Sequence, residues 1–163
     1  MTESHPTSEP TRKPLLRWKP AILAGLIAGA VFIVLEMVLV ATIGGGTPWG
    51  PTRMIGAIVL GQDVLPPPGS FHAPAFIAAM AVHFALSIVL AIVFALIAER
   101  FGPAGAPAYL AGGTVFGLLI YGIHFYGFTS VFPWFEAARN PISIFAHIVF
   151  GLVLAWSYRS LAR

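Results

Sequence analysis

The sequence predicts an all-α membrane protein: four transmembrane helices arranged as two repeated hairpins, a pseudo-twofold four-helix bundle, with a short extra helix on the outer side. Three observations predict it. Four long apolar runs occupy most of the 163 residues. Apolar residues make up 58% of the chain and charged residues 9%, against roughly 25% charged in an ordinary soluble domain. The two halves also carry small and polar residues at matching spacings.

That composition excludes several classes. A soluble enzyme of this size needs far more charge to cover its surface, and a disordered chain needs fewer apolar residues. The net charge of +3 is no nucleic-acid signal, because the basic residues sit at the ends of apolar runs and not on one patch. The bilayer is the expected partner and nucleic acid is not. No cysteine is present, so disulfides and thiolate metal sites are excluded.

Residues 1–19 read as a disordered basic cytoplasmic tail, with Pro6, Pro10 and Pro14 followed by Arg12, Lys13, Arg17 and Lys19. Residues 20–163 form the transmembrane domain. Its spans are expected at about 20–43, 74–98, 107–128 and 141–158. At about 1.5 Å per residue each crosses a hydrocarbon core of about 30 Å, the last only just. Pro20, Pro74, Pro107 and Pro141 stand at their starts, where a missing N–H is tolerated. Asn140 is placed to cap the fourth. The first run is too long for a signal-peptide core and lacks a small-x-small cleavage site, so it is read as retained.

Orientation follows from Lys and Arg. With the tail inside, Arg12, Lys13, Arg17, Lys19, Arg100, Arg159 and Arg163 face the cytoplasm, and Arg53 and Arg139 face outward. Seven against two places both termini in the cytoplasm and the protein in the inner membrane. The first outer loop, about 44–73, holds an apolar piece, Met54 to Leu60, too short to span. It reads as an interfacial or re-entrant helix. Trp18, Trp49, Trp134 and Trp156 fall near span boundaries, as in an aromatic belt.

The repeat is positional. Gly25-x3-Gly29-x6-Glu36 in the first run matches Gly113-x3-Gly117-x6-His124 in the third. Ala79-x3-His83-x3-Ser87-x3-Ala91 in the second matches Ser143-x3-His147-x3-Gly151-x3-Ala155 in the fourth. Pro48-Trp49 with Arg53 matches Pro133-Trp134 with Arg139. Two hairpins of equal orientation imply a pseudo-twofold axis along the membrane normal.

Within the spans the polar residues of note are Glu36, His83, His124 and His147, one per span. Each shares a helix face with small residues, the faces where membrane helices pack closely. They should therefore point into the bundle. Counted from the outer ends, Glu36, His83 and His147 lie about 9–14 Å deep and His124 about 6 Å. A buried carboxylate must be paired, protonated or metal-bound.

Such a layer suits several roles. Glu36, His83, His124 and His147 match the ligand preferences of a transition metal such as Zn, Cu, Fe or Ni, held as bundles hold metals. His83 and His147, equivalent across the repeat, could be the axial ligands of a haem b, with Gly117 or Gly151 making room for the ring. The same residues could relay protons in a proton-coupled transporter or channel subunit. A purely structural polar network is the remaining reading. Glu-x-x-His and His-Glu-x-x-His motifs are absent from the sequence, which disfavours a di-iron carboxylate centre and a zinc protease. No catalytic residue is marked. Arg53, Arg139 and Tyr121 are candidates to support the layer or meet a ligand. Both arginines are also placed for lipid headgroups, Arg139 for Glu136, and Tyr121 for simple packing. His72 reads as solvated.

Some stretches carry a resemblance. Leu35-Glu36-Met37-Val38-Leu39, the segment from Gly44-Gly45-Gly46-Thr47-Pro48-Trp49 to Arg53-Met54-Ile55, His124-Phe125-Tyr126-Gly127-Phe128 and Phe132-Pro133-Trp134-Phe135 resemble a group of small uncharacterised bacterial four-helix integral membrane proteins, some labelled sodium:proline symporter. The resemblance covers about residues 20–158 and implies the four-helix fold. It assigns no residue a role. A transporter this small would be expected to form a homo-oligomer. The sequence thus favours an inner-membrane protein with a Glu/His site for a transition metal or haem, opening toward the outer face.

Overall fold

A computed structural model describes residues 16–65, 69–102 and 104–163. Most of the expected tail, with Arg12 and Lys13, lies outside the described residues. Five α-helices follow in order: α1 (Trp18–Thr42), α2 (Gly50–Leu60), α3 (Ala73–Phe101), α4 (Gly105–Gly122) and α5 (Pro141–Leu161). No strand occurs among the described residues. α4 continues through a π-helical turn, Ile123–Gly127, and a 3-10 turn, Phe128–Ser130. The segments Trp18–Thr42, Ala73–Phe101, Gly105–Ser130 and Pro141–Leu161 are long and apolar enough to cross a bilayer. The chain is an all-α membrane protein.

The local signals explain the helix ends. Asn140 Oδ1 accepts from the Ser143 backbone N–H at 3.1 Å, with Pro141 at the first helical position. His72, expected to be solvated, caps α3 by accepting from the Ala75 N–H at Nδ1, 3.2 Å. α3 stops at Gly102, whose φ of +54° is left-handed, a conformation glycine adopts without Cβ strain. α1 begins at Trp18, so Lys19 belongs to the helix and not to the tail.

The spans are antiparallel neighbours in the order α3, α1, α5, α4. Small residues set the contacts. A Cβ on Gly25 would meet Ala91 Cβ at 2.8 Å and the Ser87 carbonyl oxygen at 2.8 Å. A Cβ on Gly113 would meet Ala155 Cβ at 2.6 Å and would overlap the Gly151 carbonyl oxygen. Each hairpin is therefore joined through the same register of positions. Contacts between hairpins are not alike. α1 lies along α5, whereas α3 and α4 meet only marginally, chiefly through Phe94 on Phe116, ring centroids 5.4 Å apart. α3 thus does not meet α4 as α1 meets α5, and the bundle is open on that side.

The helix ends that carry the termini are closed by a core of Ala21, Ala24, Ala28, Ala95, Leu154, Tyr158 and their neighbours. Alanine dominates because it lets the helices approach closely. Tyr158 is fully buried, and its hydroxyl donates to Glu99 Oε1 at 2.6 Å. Arg17 stands 4.0 Å from the same carboxylate. At the opposite end α2 lies along α3, with Gly56 against the Ala75 backbone. The expected short extra helix is α2, which contains the apolar piece Met54 to Leu60 and packs on α3.

Candidate ligand cavity

The gap between α3 and α4 is one side of a cavity of about 860 Å³. α1 supplies Phe32 and Glu36, α3 supplies His83, Leu86 and Ser87, and α5 supplies Ser143, His147 and Phe150. The π-helical turn supplies His124 and Phe125, and Met54, Ile55 and Ile58 of α2 close the end away from the termini. All four residues of the expected polar layer therefore line one cavity.

Ser143 joins the layer. Its hydroxyl donates to Glu36 Oε1 at 2.7 Å, bridging α5 to α1. Its carbonyl oxygen accepts from His147 Nδ1 at 2.7 Å. Glu36 is buried at 7% exposure, and its Oε2 has no hydrogen-bond partner. On the α3 side His83 Nε2 donates to the Gly29 carbonyl oxygen at 2.8 Å. Those roles follow from the acceptors: a carbonyl oxygen can only accept, so the facing ring nitrogen carries the proton.

Phe32 stands between the histidines. Its ring stacks on His83 at 5.6 Å and meets His147 edge-on at 4.8 Å. His124 lies 5.9 Å from His147, centroid to centroid, and stacks on Phe128 at 5.8 Å. Tyr121 packs edge-on against His147 at 5.6 Å.

This geometry does not gather the ligand sets expected from sequence. Among the described residues no three His, Cys, Asp or Glu side chains come close enough to hold a metal ion. Glu36, His83, His124 and His147 share a cavity without converging on a point. The haem arrangement fails for a specific reason: the Phe32 ring fills the space between His83 and His147, and His83 Nε2 is already engaged by Gly29. The glycines expected to make room for a porphyrin are occupied as well. A Cβ on Gly117 would overlap the His147 carbonyl oxygen, and one on Gly151 the Gly113 carbonyl oxygen.

Neither arginine reaches Glu36. Arg53 is buried at 4% exposure and clamps the α2–α3 loop. Its Nη1 donates to Val64 O at 2.7 Å, Nε to Ser70 O at 3.1 Å, and Nη2 to Ser70 O and Oγ at 2.9 and 3.0 Å. Arg139 donates from Nε to Phe125 O at 2.6 Å and from Nη2 to Thr129 Oγ1 at 2.7 Å. It also pairs with Glu136 at 3.4 Å and lies over Tyr126 at 4.7 Å. The expected Glu136 pairing is present, but the main role of Arg139 is to hold the carbonyl of the π-helical turn. Such turns occur frequently at functional sites, and this one carries His124. The segments at this end are also tied together by Trp134 Nε1 donating to Met54 O at 2.9 Å.

Ser143 and Phe32 escaped the sequence reading as site residues. Ser143 had a signal, three residues after the capping Asn140 and four before His147. Phe32 had none beyond lying four residues before Glu36.

Comparison with protein-family models, curated proteins and solved structures finds no match to the chain. Functional assignment rests on the cavity itself.

Proposed function

We propose that this is a binding protein of the inner membrane that admits a lipid-soluble small molecule between α3 and α4 and anchors it on Glu36. The single observation that carries this reading is the free Glu36 Oε2, buried in the wall of a cavity of about 860 Å³. Cavities of several hundred Å³, mostly apolar with a few convergent polar groups, are the usual form of small-molecule sites. An unpartnered buried carboxylate oxygen is costly in hydrocarbon and is the expected mark of a ligand or ion site. The positive-inside bias supports both termini in the cytoplasm, with the cavity in the outer half of the bilayer. The shared register of Gly25 on Ala91 and Gly113 on Ala155 supports descent from one duplicated hairpin.

The test is ligand retention. Protein purified in mild detergent is analysed by native mass spectrometry, alongside a Val82→Phe/Leu86→Phe variant that fills the α3 side. A bound small molecule in the first and not in the second is expected. Equal adducts in both would overturn the reading.

A second reading, a proton pathway, is supported by Glu36, His83, His124 and His147 lining one cavity. It predicts proton flux in liposomes that Glu36→Gln removes. Equal flux in both would overturn it.

A further inference from the structure

We infer that the cavity's ligand is a lipophilic organic cation bearing N–H donors, a protonated amine. This deepens the binding reading above and rests on it.

The argument starts from the polar atoms left over. Glu36 Oε2 is a free acceptor. His83 and His147 each donate one ring N–H to a backbone carbonyl, so in the neutral ring the second nitrogen is a lone-pair acceptor. The Ser143 hydroxyl is engaged on Glu36, and the Asn140 amide, in an exposed bond, spends one of its two N–H groups on Ala137 O at 3.3 Å. Among the described lining side chains, only Ser87 and His124 can turn either way. Glu36, His83 and His147 therefore present acceptors on three helices, against one remaining N–H of Asn140, and ask for donors in return.

Charge points the same way. Glu36 has no cationic partner, because Arg53 and Arg139 are engaged with loop backbone. A ligand ammonium would supply the missing counter-charge. The apolar wall suits the remainder of such a molecule. Six phenylalanines line the cavity, Phe32, Phe125, Phe128, Phe132, Phe135 and Phe150, and aromatic faces attract cations more strongly once water is removed. An anionic ligand would meet a carboxylate and two lone pairs. A neutral hydrocarbon would leave Glu36 Oε2 unpaired.

The experiment uses three probes of one shape: pyrenemethylammonium, pyrenemethanol and pyrenecarboxylate. Binding to purified full-length protein is read as tryptophan-to-pyrene energy transfer, taking only the part that Val82→Phe/Leu86→Phe abolishes. The ammonium should bind about tenfold to hundredfold more tightly than the alcohol, as a hydrogen bond to a charged group implies. The carboxylate should bind weakest. Glu36→Gln should remove the preference while leaving alcohol binding in place, and Glu36→Asp, which keeps the charge, should retain it. Alcohol binding as tight as ammonium binding in the wild type overturns the cation class and leaves the cavity reading standing. A preference that survives Glu36→Gln also overturns it. Absence of any transfer that the filled variant abolishes overturns the cavity reading itself.

Discussion

The Ser143 hydroxyl donates to Glu36 Oε1 across 2.7 Å, joining α5 to α1 at the wall of the cavity. The bond orients the carboxylate: one oxygen is fixed against a neighbouring helix and the other has no hydrogen-bond partner. Ser143 is itself held by the Asn140 cap and holds His147 through its carbonyl oxygen. One short stretch of α5 thus sets the positions of two side chains that line the cavity.

Removing that hydroxyl isolates the carboxylate. Ser143→Ala leaves both Glu36 oxygens without a partner. The expected destabilisation is about 1–3 kcal/mol, the magnitude for orphaning a buried polar group. The Glu36→Gln/Ser143→Ala pair should lose less than the sum of the single changes, because a neutral amide is less costly to leave unpaired. Thermal melts of the four proteins complete the cycle, and strict additivity would sever the two residues energetically.

How far this site was legible depends on the range of the interactions. Glu36, His83, His124 and His147 could be read because each shares a helix face with small residues, and helix periodicity is local. The Asn140 cap and the four apolar spans are local in the same sense. The open side between α3 and α4 is not local, since it depends on how two hairpins meet, and apolar spans are equally apolar toward lipid and toward one another. The π-helical turn at His124 is held by Arg139, fourteen residues away by the Arg139–Phe125 pairing, and no spacing rule announces it. Arg53 looked free for an anion because its partners are backbone carbonyls, which every residue possesses. Phe32 stands between the two imidazoles of the expected haem pair, a place that only packing decides.

The glycine contacts predict a sharp contrast. Gly113→Ala or Gly151→Ala puts a Cβ into the backbone of the facing helix, and the α4–α5 hairpin must separate. Both variants should melt far below the wild type or fail to accumulate in the membrane. Gly112→Ala meets nothing within 4 Å and should be neutral or stabilising by about 0.5–1 kcal/mol, from helix propensity. Similar melting of Gly112→Ala and Gly113→Ala would show that α4 does not pack on α5 through this face.

Arg53 makes its bonds as a planar fork, which lysine cannot reproduce. Arg53→Lys should therefore release the α2–α3 loop, leaving Val64 O and Ser70 O without their partner. The expected signature is faster amide exchange in the loop around Gln62–Val64, together with faster proteolysis between α2 and α3. The four spans should keep their protection. Unchanged exchange in the loop would show that other contacts hold it.

At the far end of the molecule, Tyr158→Phe removes a hydroxyl and nothing else. The Glu99 carboxylate loses its 2.6 Å bond and retains Arg17 at 4.0 Å. Side-chain hydrogen bonds between membrane helices contribute about 0.6 kcal/mol on average, and one to a carboxylate more, about 1.5–3 kcal/mol. The melting temperature should fall accordingly. Glu36 and the cavity lie beyond the alanine-rich core, so probe binding by the folded fraction should not change. A loss of binding that outruns the loss of stability would instead couple the two ends. Arg17, Glu99 and Tyr158 would then act as a latch, whose opening at the end that carries the termini alters the cavity at the other.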